Sequence, residues 1–320
     1  MSSFNIENYL DSLPDDVKEI DLSSKDLTYL PSLDRFTSLK ILNCGNNRLT
    51  FLPDLPQNLH FLSCNNNDLT FLPDLPQNLK VLNCDFNQLN SLPDLPDTLE
   101  TCSCNSNELI TLPPLPKKLE KLFCSLNQLN SLPSLPETLE ICSCNSNDLI
   151  TLPPLPKNLE KLFCSLNQLI NLPPLSDTLK VLNCLSNQLT TLPSLPEKLE
   201  ILFCNINQLN NLPPLPNTLE ILYCDSNQLT ILPDLPNSLQ NLYCYKNQLP
   251  YEDLKSYRSF HNFRFTYYKT KFGSKLERYF IKNIRNKGIN KEFKEIIYSP
   301  NYKFYKRFLN PDIVKMFSNT

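Results

Sequence analysis

Glycine is almost missing from this chain, with three residues in 320, beside two histidines and no tryptophan. So few glycines leave no glycine-rich loop in which backbone could approach a phosphate. Neither His60 nor His261 stands near a nucleophile and a carboxylate in sequence, and no metal-ligand spacing includes them. No apolar run reaches the ~18 residues that a membrane-spanning helix needs. The start, MSSFNIENYLDSLPDD, has no basic region followed by an apolar stretch, so no secretory signal is expected. These shortages argue against an enzyme with a resident cofactor. A non-enzyme without cofactor, metal or small-molecule substrate is expected.

What is abundant is proline (28), cysteine (13) and a repeat. From Leu39 the pattern LxxLxCxxNxLxxLPxLPxx returns every 20 residues, its first leucine falling at 39, 59, 79 and so on to 239. A looser, 22-residue copy starts at Val17, with Lys25 in place of the asparagine. Positions within the repeat are numbered here from that first leucine. Positions 4 and 6 point one way and 3, 5 and 7 the other, as a half-buried strand requires. One strand so short cannot bury its face alone, whereas twelve stacked strands share a continuous core about 55 Å long. The LPxLPxx limb cannot be helical, because its prolines remove backbone donors; extended or polyproline-II backbone suits it. Twenty residues are also too few for a strand plus a full helix.

The pattern resembles the leucine-rich repeat family, whose core is LxxLxLxxNxL, with cysteine at the third leucine. Its length and its LPxLPxx limb resemble the short, proline-rich class known from secreted bacterial effectors, with similar repeats in giant-virus and amoebal proteins. The resemblance implies a β-rich solenoid: a curved parallel sheet of about 12 strands with an extended convex side. It also implies protein binding on the concave sheet face. Effectors with similar repeats often carry a ubiquitin-ligase domain behind them. Its thioester chemistry needs a cysteine, and residues 251–320 contain none.

Three segments follow. Residues 1–16 form an N-terminal cap, in which Phe4, Ile6, Tyr9 and Leu10 make a short helix. Residues 17–250 are the solenoid. Residues 251–320 are a helical, basic, aromatic-rich cap with helices near 252–262, 275–287, 291–298, 301–309 and 312–318. Charge divides the same way: residues 1–250 hold 14 Lys+Arg against 27 Asp+Glu, net −13, and residues 251–320 hold 16 against 6, net +10. A basic segment with 17 Phe+Tyr is solvated helix surface, a dock for the acid-rich repeats or an acidic protein, or a site for nucleic acid or anionic lipid.

Eleven cysteines occupy position 6, and Cys102 and Cys142 replace leucine at position 4. All thirteen point into the expected core, as small hydrophobes. Their odd number and burial predict free thiols in a reducing, cytoplasmic compartment. The asparagines at position 9, from Asn47 to Asn247, are expected to hold backbone groups of the turn after each strand. Residues 99–138 and 139–178 agree at 32 of 40 positions, as if a two-repeat unit had been copied.

The resemblance implies that positions 3, 5, 7 and 8 supply the concave face, and position 5 gives the candidate binding residues. It runs from small polar residues to Phe123, Phe163, Phe203, Tyr223 and Tyr243, joined by Tyr245 and Asp225 at position 7. Exposed aromatics on a rigid sheet have the composition of a protein-binding hot spot. Glutamates at position 2 (Glu100, Glu120, Glu140, Glu160, Glu200, Glu220) form an acidic row that disfavours nucleic acid on that face.

Overall fold

A computed structural model describes residues 4–261. Its chain divides into two units, Met1–Leu249 and Pro250–Thr320. The first opens with helix α1 (Ile6–Asp11), whose N-cap Asn5 accepts a hydrogen bond from the Asn8 backbone N–H. The cap satisfies one of the helix's orphan donors. Ile6 and Leu10 are buried.

Twelve three-residue strands follow. They are β1 (Glu19–Asp21), β2 (Ile41–Asn43), β3 (Phe61–Ser63), β4 (Val81–Asn83), β5 (Thr101–Ser103) and β6 (Lys121–Phe123), then β7 (Ile141–Ser143), β8 (Lys161–Phe163), β9 (Val181–Asn183), β10 (Ile201–Phe203), β11 (Ile221–Tyr223) and β12 (Asn241–Tyr243). They form one sheet in sequence order, every pair parallel and in register, so that Leu202 faces Leu182 on one side and Leu222 on the other. No residue is inserted after Leu39, so each position makes one continuous row along the sheet.

Strands this short survive because the backbone ladder runs past them. The position 2 N–H donates to position 2 of the previous repeat (His60 N to Lys40 O, 2.8 Å). Position 6 donates to position 5 of the next (Cys64 N to Asn83 O, 2.8 Å). Position 8 donates to position 7 of the next (Phe86 N to Asn105 O, 2.9 Å). The turn that makes this possible puts position 8 in the left-handed region, at φ 51–58° from Asn46 to Lys246. Not one of these residues is glycine.

Leucines at positions 1, 4 and 11 are fully buried through most of the array, each contributing about 2 kcal/mol of apolar burial. The position 6 cysteines stack beside them. All thirteen cysteines are free and buried. Burial pushes the Cys44 and Cys184 thiols up to about 12. Among the described residues no cluster of three or more His, Cys, Asp or Glu could hold a metal ion.

The return limb is neither helix nor strand. Side chains at position 20 tie it together: the Thr98 hydroxyl donates to Gln77 O (2.7 Å) and to Leu79 O (2.8 Å), and Thr138 and Thr218 repeat the pair.

In the second unit residues 254–261 are helical. Asp253 and Ser256 form a reciprocal cap: Ser256 N donates to Asp253 Oδ1 (2.6 Å) and Asp253 N to Ser256 Oγ (3.0 Å). The Tyr251 ring lies 4.9 Å from that of Tyr257. The helices expected near 275–287, 291–298, 301–309 and 312–318 lie outside the described residues.

Candidate functional site

The asparagine row does what its amide chemistry requires. Asn107 Nδ2 donates to Cys104 O of its own repeat (3.2 Å) and to Cys84 O of the previous one (3.0 Å). Its Oδ1 accepts from Leu89 N (3.0 Å). Each amide therefore clamps two repeats, and the row is occupied with structure. It is not available to a ligand.

Positions 3 and 5 line the opposite sheet face. Position 3 is more apolar than its outward direction suggests, with Ile41, Phe61, Val81, Ile141, Val181, Ile201 and Ile221. From Phe61 to Ile221 these side chains are half-buried.

At position 5, Phe203, Tyr223 and Tyr243 stack as one group. Ring centroids are 4.8 Å apart for Phe203 and Tyr223, in a tilted arrangement, and 4.6 Å for Tyr223 and Tyr243, edge to face. Successive strands bring identical positions to one strand spacing, about 4.8 Å. That spacing suits edge-to-face rings. Tyr243 and Tyr245 are exposed; Phe203 and Tyr223 are half-buried. Phe123 and Phe163 are half-buried on the same face but lie two strands apart, separated by Ser143.

Asp225 differs from the expectation. It is 4 % exposed, below the surface rather than on it. Its negative charge, with some desolvation and a hydrogen bond between the two side chains, pushes the Tyr245 hydroxyl up. Asp225 thus orients Tyr245 and offers little surface of its own.

The acidic row at position 2 is partly neutralised. Lys80 pairs with Glu100 (2.8 Å) and Lys180 with Glu160 (2.9 Å). Hydrogen bonding to Glu100 holds the Lys80 ammonium above its usual range.

Two features escaped the sequence reading. Position 7 carries a second polar chain at the ends of the strands. Ser103 Oγ donates to Asp85 (2.8 Å), Asn105 N to Asp85 Oδ1 (2.6 Å), Ser125 N to Asn105 Oδ1 (2.8 Å) and Ser165 N to Asn145 Oδ1 (2.9 Å). Position 8, next to it, alternates between serine and a large exposed hydrophobe from Phe86 to Ser226. That alternation has a 40-residue period and was visible in the sequence, and the outward direction of position 8 was expected; its left-handed backbone was not.

Known structures resemble this solenoid. YopM from Yersinia enterocolitica WA-314 superposes with a TM-score of 0.73 at 38 % identity, covering 75 % of this chain and 53 % of that one. The chain thus spans about half the length of that protein. YopM from Yersinia pestis, a leucine-rich effector protein, gives a TM-score of 0.63 at 34 % identity over 72 % of this chain and 78 % of its own. The complex of latrophilin 3, Unc5D and FLRT2 includes a chain with the same fold, at TM-score 0.59 and 24 % identity. No family model and no curated protein matches the chain.

Proposed function

We propose that this chain, which belongs to the leucine-rich repeat family, is a non-catalytic module that binds a protein on its open sheet face. Its role is that of a scaffold or a host-interaction factor. The stacked group Phe203–Tyr223–Tyr243 carries the reading. Three adjacent aromatic rings on the solvent side of a rigid sheet bury large area at small cost in side-chain entropy. Tyr245 extends the group, with Asp225 behind it. Phe163 and Phe123 continue it toward the middle of the array. A sheet built of in-register rows presents these groups already placed, so little ordering accompanies binding. The likeness to YopM, an effector, supports the host-interaction reading. A reducing, cytoplasmic compartment suits thirteen free thiols.

The net charge of +10 on residues 251–320 favours a second reading: a targeting segment for nucleic acid or anionic membrane. One experiment separates the two. Full-length protein, residues 1–250 and the Phe203→Ala/Tyr223→Ala variant are used as bait at low and moderate salt, with folding checked by circular dichroism. A protein retained by residues 1–250 and lost from the variant supports the sheet. Retention that needs residues 251–320 and disappears with salt transfers the function to that segment.

A further inference from the structure

Position 8 holds the least expected side chains of the fold. Phe86, Leu126, Leu166 and Ile206 are 58, 56, 53 and 49 % exposed, and all four have φ of 54–58°. In that region a bulky or β-branched residue is disfavoured and asparagine or glycine is preferred. The repeats between them show the cheaper solution, with Ser106, Ser146 and Ser186 at the same place. Burial among the described residues does not explain large apolar groups that are half exposed on strained backbone. Capture of something apolar does.

The row has a period and a charge. Strands lie about 4.8 Å apart, so its members recur every 9.6 Å or so. An extended β-strand returns a side chain to one face every ~6.6 or ~13 Å and cannot follow. An α-helix returns one after seven residues, about 10.5 Å, and drifts by nearly 3 Å over three steps. A polyproline-II peptide returns one every third residue, about 9.3 Å, and stays within about 1 Å over three steps. Between Arg48 and Lys246 no lysine or arginine occupies positions 7 to 10, while Asp68, Asp85, Glu108 and Asp148 do. Lys121 and Lys161 sit at position 3, at the other end of the strands. A second copy of this chain would set acid against acid, so self-association is disfavoured.

We propose that the position 8 row is the docking track for an extended, polyproline-II peptide of a protein partner, with an apolar residue at every third place and basic residues between. It rests on the reading of the sheet as a protein-binding surface, and it names the chemistry and register of the partner.

The probe is a fluorescein-labelled 12-residue peptide of four Leu-Pro-Lys triplets, titrated into the full chain and followed by anisotropy. Leu126→Asn/Leu166→Asn removes two apolar contacts and places a left-handed-tolerant residue at each site. Its thermal midpoint is expected to equal or exceed that of the parent, which separates lost binding from lost fold. The expected result is binding that weakens about tenfold or more in this variant. It should weaken with salt and vanish when glutamate replaces lysine in the peptide. Absence of binding, equal binding to the variant, or preference for a basic heptad helix overturns the proposal. So does sedimentation showing a dimer that the two substitutions dissociate. If a partner captured through Phe203 and Tyr223 is still held by Leu126→Asn/Leu166→Asn, this inference fails and the sheet-face reading stands.

Discussion

At the scale of single residues, each asparagine of position 9 pairs with backbone groups of two neighbouring repeats. Asn127 donates to Cys104 O and Cys124 O and accepts from Leu109 N. Asn127→Ala leaves these groups unpaired at about 1–3 kcal/mol each, so a loss of about 3 kcal/mol is expected in urea unfolding. Backbone strain makes the opposite prediction at Ile206, which holds φ 54° with a β-branched side chain. Ile206→Asn should stabilise the array by about 1 kcal/mol, read as a higher thermal midpoint. The thiols set a pH limit. Cys44 and Cys184 are held near 12 in the fold, against 9.0 when unperturbed. Above pH 9 the unfolded chain releases these protons and the native one retains them. Stability is therefore complete below pH 9 and declines as pH rises toward 12, by about 1.4 kcal/mol per pH unit for each such thiol. Urea midpoints at pH 7, 9 and 10.5 test the sign. A thiol reagent at pH 8 should react only at the rate of unfolding.

At the scale of elements, no strand is stable alone. A three-residue strand exposes most of its backbone groups unless both neighbours are in register, so the strand and its position 6 to 10 turn form one unit repeated along the array. Helix α1 buries Ile6 and Leu10, and Arg35 pairs with Asp15 (3.0 Å) and donates to the carbonyl oxygens of Leu10 in the helix and Leu13 just after it. Open repeat ends need such caps. Deleting residues 1–12 should lower the thermal midpoint and make the chain aggregate through its N-terminal end, which light scattering during a melt would record. A shortened chain that melts unchanged would mean that the first repeat protects itself.

For the first unit as a whole, the absence of insertions from Leu39 onward makes length adjustable. Removing residues 139–178 deletes two whole repeats and rejoins matching sequence. The ten remaining strands should keep their register, with far-ultraviolet circular dichroism per residue unchanged and sedimentation fitting a shorter particle. Stability is expected to fall by roughly two nearest-neighbour interfaces without loss of folding. Collapse to an unfolded chain would show that the two copies are not interchangeable.

The sequence by itself determined the parallel solenoid, its twelve strands, the inward cysteines and the structural asparagines. Each follows from a 20-residue period imposed on every residue type, and a strictly repeated pattern leaves one way to stack. The short N-terminal helix was legible too, from its apolar spacing ahead of the first repeat. The backbone conformation of the turn was not legible. The sequence shows Phe86, Leu126, Leu166 and Ile206 alternating with serine. Only the fold shows that they stand on left-handed backbone, held by hydrogen bonds to the next repeat. Asp225 went the other way: its place beside exposed Tyr245 suggested surface, and packing put it beneath. A period specifies which residues share a row. Whether a row meets water or core depends on backbone angles that the neighbouring repeat sets, and those belong to the tertiary structure.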